Sequence, residues 1–196
     1  MKSGQWRSEA LVAAVILAGF FGIWRLWLLD PGLAEENRLL EWGQVIFLVC
    51  AAVVCLIRMA AGAATKRFFP FGFLFLFFIN FVLREVDVED FPLPDIVVLL
   101  GSGTGRNILL AVAWIAYLFL LIRRPLRLPA TVHRFLTSRV GTYFTAGIIC
   151  YLAAMPFDKS MIDLNQSALL FGEETLELAG TFLFFLATFW KGKSQG

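Results

Sequence analysis

Three glutamates stand close together near the end of the chain, in Phe171-Gly-Glu-Glu-Thr-Leu-Glu-Leu-Ala-Gly180. Glu173 and Glu177 are four residues apart, so on a helix they project from one face, one turn above the other. Glu174 flanks that face. Downstream the sequence is almost wholly apolar as far as Trp190, where Lys191 closes it. A helix needs ~20 residues to cross a bilayer core, and counting back from Trp190 places Glu177 two turns inside the hydrocarbon. An ionisable side chain at that depth costs a few kcal/mol unless it meets a partner or a wet cavity, which makes it a functional-site candidate.

The same depth count brings other polar residues to this level. Glu41 falls about one turn inside a second apolar run, with Gln44 three residues on along the same face. Arg84 and Glu85 end a third run, Arg106 and Asn107 open a fourth, Arg25 lies near the end of the first, and Asp158 ends the fifth. Glu41, Glu85, Glu173 and Glu177, with the Gln44 and Asn107 carbonyls, form an all-oxygen set suited to calcium, magnesium or manganese. Zinc is disfavoured, because the single histidine, His133, maps to the opposite side. Two other uses of these carboxylates stay open: ion pairs with Arg25, Arg84 and Arg106 that hold helices in register, or a protonatable relay through Glu177. Gly101-Ser-Gly-Thr-Gly105, running into Arg106, is a candidate anion cradle. Backbone N–H groups at a helix start attract an anion, and the guanidinium adds a planar donor fork. It is neither a P-loop nor a dinucleotide fingerprint.

Positioning these residues falls to long apolar helices. The chain is 59% hydrophobic and only 16% charged, where soluble domains carry about a quarter charged residues. That excess, laid out in runs, predicts an all-α polytopic transmembrane helix bundle filling 1–196 as one domain. Six helices are expected, at about 10–29, 38–57, 69–87, 106–122, 140–156 and 168–190. Asp95-Ile-Val-Val-Leu-Leu100 is too short to span and reads as a surface or re-entrant turn. A short basic surface helix is expected over 130–139. Lys2, Arg7, Arg58, Lys66, Arg67, Arg123, Arg124, Arg127, Arg134, Arg139, Lys191 and Lys193 map to the side of the termini. The positive-inside rule then makes both termini cytoplasmic, in a bacterial inner membrane. Every acid except Glu9 maps to the other side. Cys50, Cys55 and Cys150 read as small buried apolar residues, and the phenylalanines between Phe68 and Phe81 as packing against lipid and bundle.

At Glu36-Asn-Arg-Leu-Leu-Glu41-Trp and Gly172-Glu-Glu-Thr-Leu-Glu177-Leu-Ala-Gly180 the chain resembles small bacterial inner-membrane proteins of unassigned function. These carry a similar Glu-Trp start and a late Glu-Glu-x-x-Glu-x-x-Gly helix; the resemblance implies no activity. A looser similarity is to alkaline-ceramidase-like membrane hydrolases, which place polar residues inside several helices. Their zinc site needs a histidine that this chain lacks on the required side.

The leading expectation is a binding or transport protein whose outward-facing acidic pocket holds a cation or cationic substrate. The alternatives are a metal-assisted enzyme acting on lipid headgroups or lipid-linked phosphates, with the glycine turn as its anion side, and a structural subunit of a membrane complex. Expected partners are membrane lipids and a homo-oligomer or larger complex, with no nucleic acid.

Overall fold

In the computed structural model, residues 3–34, 39–61, 68–86, 88–123, 132–133 and 135–189 are described. Among them are seven α-helices and no strand. They are α1 (Ser3–Leu29), α2 (Leu39–Ala61), α3 (Phe68–Glu85), α4 (Asp95–Gly101), α5 (Gly103–Ile122), α6 (Arg139–Asp158) and α7 (Gln166–Phe189). Short 3-10 turns follow α1 (Pro31–Ala34) and α3 (Val88–Asp90). Four segments are long and apolar enough to cross a membrane: Ala10–Leu29, Pro31–Ala61, Gly103–Ile122 and Arg139–Asp158. α7 carries three glutamates in its first half.

Several helix ends differ from the sequence reading. α2 runs through Arg58 to Ala61 instead of stopping at Leu56 or Ile57, because Met59-Ala-Ala are strong helix formers. Arg58 also has a use for its charge: its Nη2 donates to the Phe189 carbonyl at 3.0 Å. Asp95–Gly101 is a true, seven-residue helix, and α5 starts three residues earlier than expected, directly after it. α6 continues past Pro156 to Asp158. Of the surface helix expected over 130–139, residues 130, 131 and 134 lie outside the described set. So do Asp87, Trp190 and most of the orientation-setting basic residues (Lys2, Lys66, Arg67, Arg124, Arg127, Arg134, Lys191 and Lys193).

The chain forms two compact units, and the division falls within α2, α6 and α7. One unit comprises Met1–Gly43 and Ile148–Gly180. Its small core holds Ala34, Leu40 and Phe171, with Ile23, Trp27, Leu170 and Leu178 packed around them. The Trp27 ring stacks on Phe171 with centroids 4.6 Å apart.

The other unit comprises Gln44–Gly147 and Thr181–Gly196. Its centre is aromatic. Phe77 of α3 lies 5.1 Å from Phe144 of α6 and 5.3 Å from Phe184 of α7, centroid to centroid. Phe78, Phe81 and Phe73 extend the cluster, and Trp114 of α5 meets Phe73 edge-on. The phenylalanine-rich α3 is therefore chiefly bundle packing, with Phe73 partly exposed. Interlocking rings suit such a bundle, since lipid removes the hydrophobic drive between helices and leaves close packing to hold them. α3 and α5 run antiparallel and are tied at both ends. Arg106 Nη1 donates to the Leu83 carbonyl, and the Tyr117 hydroxyl to the Phe69 carbonyl at 3.1 Å. The cysteines are free thiols; Cys55 is buried and Cys150 half-buried, but Cys50 is exposed on an otherwise apolar helix face.

Candidate functional site

Glu41, Asp158, Glu173, Glu174 and Glu177 belong to the first unit. Gln44, Arg84, Glu85, Arg106, Asn107, Gly101, Gly103 and Gly105 belong to the second.

In the first unit the start of α2 runs beside α7. Leu40 shares the buried cluster with Phe171, and a Cβ on Gly43 would sit 3.2 Å from Leu178. Both numbers rise together, so the two segments run in the same direction. At about 100° per residue, the side of α7 that carries Phe171 and Leu178 also carries Glu174 and Thr175. Glu173 and Glu177 lie roughly 120–160° around the helix from Phe171. The acid nearest the α2 seam is thus Glu174, the residue that flanks the Glu173–Glu177 face. Glu41, Glu173 and Glu174 are half-buried, while Glu177 is buried, at 9% exposure.

Around Glu177 the helix is polar on its inner turns. Thr175 is buried and its hydroxyl donates to the Phe171 carbonyl at 2.5 Å. Gly172 lets the Phe157 ring lie against the α7 backbone, where a Cβ would meet it at 2.6 Å. Asp158, next to that ring in sequence, is exposed, as is Arg25. Among the described residues, Trp27 Nε1 and Ser167 Oγ are buried polar atoms without a hydrogen-bond partner. Ser167 lies one turn before Phe171, on which Trp27 stacks. Neither residue has a spacing signal in the sequence that would have singled it out.

In the second unit Arg84 and Glu85 pair with each other. Nη2 and Nε of the arginine both reach Glu85 Oε1, at 2.6 and 2.7 Å. This is the ion-pair use of a carboxylate, made between sequence neighbours. Gln44 is fully buried and Asn107 exposed. Arg106 spends one donor on the Leu83 carbonyl in the last turn of α3.

Each glycine of the expected anion cradle has a structural role, by conformation or by close packing. Ser102 and Gly103 form the corner between α4 and α5, and Gly103 takes a φ of +48°, a left-handed conformation that favours glycine. A Cβ on Gly105 would fall 1.7 Å from the Leu99 carbonyl oxygen, and one on Gly101 2.8 Å from Val88. The corner is thus built by close backbone approach, with the Leu99 carbonyl lying against the first turn of α5.

Among the described residues, no three His, Cys, Asp or Glu side chains form a group that could hold a metal ion. No protein-family model, curated protein or solved structure matches the chain.

Proposed function

We propose that this is a membrane protein that binds a cation or a cationic group through the glutamates of α7, with Glu177 as the principal ligand and Glu174 and Glu41 beside it. The observation that carries the reading is the burial of Glu177 in a helix that bears no other charge from there to Phe189. A buried carboxylate is held there by what it contacts, and a cation offsets its desolvation more fully than neutral donors do. Half-buried Glu174, on the α2 side of α7, and half-buried Glu41, in the first turn of α2, offer further oxygen atoms, as a hard cation or an ammonium group requires. Glu85 is left out of this set, because Arg84 already neutralises it. In this reading the termini are cytoplasmic and the six long helices all cross a bacterial inner membrane.

The test is ligand-induced stabilisation of purified protein and of Glu177→Gln, titrated with calcium, magnesium, manganese and tetramethylammonium. A ligand at 100 times its Kd stabilises the folded state by about 2.7 kcal/mol. One of the four should raise the unfolding temperature of the parent, and Glu177→Gln should lose that rise while unfolding normally in its absence. A rise of equal size in Glu177→Gln would remove Glu177 from the site. No response of the parent to any of the four would overturn the cation reading.

A further inference from the structure

We propose that α4, together with residues 91–94 before it, is a lipid-immersed interfacial element: a short arm that lies in the acyl–headgroup boundary of the bilayer beside the first turn of α5. It is independent of the cation reading.

From Ile96 onward its side chains are apolar all round and mostly exposed. Ile96 is 59% and Leu99 61% exposed, three apart on one face; Val97 and Leu100, three apart on another, are exposed as well, and Phe91 and Leu93 continue the set. A helix that is apolar on every side is covered by protein or by lipid. Protein meets this one along Leu99–Gly101, which pack against Gly105 and Val88.

The occupant follows from what the arm is continuous with. α5 is one of the segments long and apolar enough to cross a membrane, and Ile108, Leu109, Val112 and Ile115 on its surface are exposed. α4 is fixed to the start of that helix by the close approach at Gly105, so its exposed side chains prolong the surface that α5 presents to lipid. The α3–α5 tie through Arg106 and Leu83 sets the end of α3 at the same level. The residues between them leave and rejoin the bundle at one level.

The backbone supports the same occupant. In lipid, peptide groups must find their partners within the protein. Pro92 and Pro94 have no N–H to satisfy. Leu93 donates to the Phe91 carbonyl at 2.7 Å, Val97 and Val98 to that of Pro94, and Ser102 to that of Val98 through both N–H and hydroxyl. The acids at the near edge, Glu89 and Asp95, are exposed and mark the side that stays in the headgroups.

The experiment places spin labels, one at a time, in the full chain with Cys50, Cys55 and Cys150 replaced by alanine. The protein is reconstituted in nanodiscs of phosphatidylethanolamine and phosphatidylglycerol. Ile96→Cys and Leu99→Cys report the arm, Ile115→Cys the lipid face of α5, and Glu89→Cys the aqueous edge. Collision with oxygen relative to a water-soluble nickel chelate should be several-fold higher at 96 and 99 than at 89, approaching the value at 115. Ratios at 96 and 99 equal to that at 89 would put the arm in water and overturn the proposal. Protection from both reagents would mean a protein covers it, which overturns the proposal equally. If the cysteine-free chain does not fold, p-benzoylphenylalanine at position 96 of the native sequence gives a second readout. Photo-crosslinking to lipid is expected; crosslinking to protein alone would refute the lipid assignment.

Discussion

Gly105→Ala is the sharpest perturbation of the corner between α4 and α5. An added Cβ would lie 1.7 Å from the Leu99 oxygen and 2.8 Å from its carbonyl carbon, both backbone atoms, so no rotamer change relieves it. Real Cβ contacts essentially never fall below 3.0 Å, so the end of α4 must retreat by about 1.3 Å. That retreat strains the two hydrogen bonds from Ser102 to the Val98 carbonyl, at 2.8 and 2.9 Å, worth about 1 kcal/mol each. Overpacking adds about 1–3 kcal/mol, and the better helix propensity of alanine returns about 1 kcal/mol. The net loss is about 2–4 kcal/mol, or roughly 5–15 °C in unfolding temperature for a chain of this size. Intrinsic tryptophan fluorescence during heating in detergent reads it. Gly22→Ala in α1 is the control: its Cβ meets nothing within 4 Å, and it should hold or slightly raise the unfolding temperature. A Gly105→Ala protein as stable as the parent would show that Leu99 does not approach Gly105 as described, and the fixed position of α4 would fall with it.

Other substitutions follow from the aromatic core and the arginines. Phe184, fully buried against Phe77, Phe78, Phe81 and Phe144, should cost about 3–5 kcal/mol on Phe184→Ala, read as a lower unfolding temperature; a change below the error of the scan would contradict the ring packing. Arg106→Met removes a charge-assisted bond to the Leu83 carbonyl and should cost about 1.5–3 kcal/mol. Arg84→Ala removes the contact over the Phe81 ring and leaves the nearly buried Glu85 carboxylate without this partner; it should cost about 1–3 kcal/mol. An unchanged unfolding temperature in either variant would contradict the pairing it removes.

The long apolar runs made the helices legible, because a 3.6-residue repeat filled with Leu, Val, Ile and Phe has few alternatives. Their ends were less so. Arg58 reads as a membrane boundary, but its guanidinium finds the Phe189 carbonyl, 131 residues away in sequence, and the helix continues past it. Spacing put Glu173 and Glu177 correctly on one face of α7, yet which face meets α2 depends on Leu178 fitting against Gly43. That is a matter of tertiary packing, and it moved Glu174 from the margin to the seam. The glycine run was visible as a special backbone, but not the reason for it. Close carbonyl approach and anion binding both call for glycine, and only the position of Leu99 tells them apart. Trp27 was invisible as a polar residue, because nothing in its neighbourhood along the chain signals that its indole N–H is buried.

The arginine and tyrosine ties to backbone carbonyls have a mechanical consequence within the second unit. Arg58 anchors the end of α2 to the end of α7 and lies over the Phe71 ring of α3. Arg106 and Tyr117 pin α3 to α5 near opposite ends. Helix pairs held this way cannot slide along their axes without breaking these hydrogen bonds. Shear is therefore the expensive motion here, and tilting or rolling about the pinned points the cheap one. If this unit moves as the protein works, its helices should swing like spokes on a fixed hub, keeping their depth in the membrane constant.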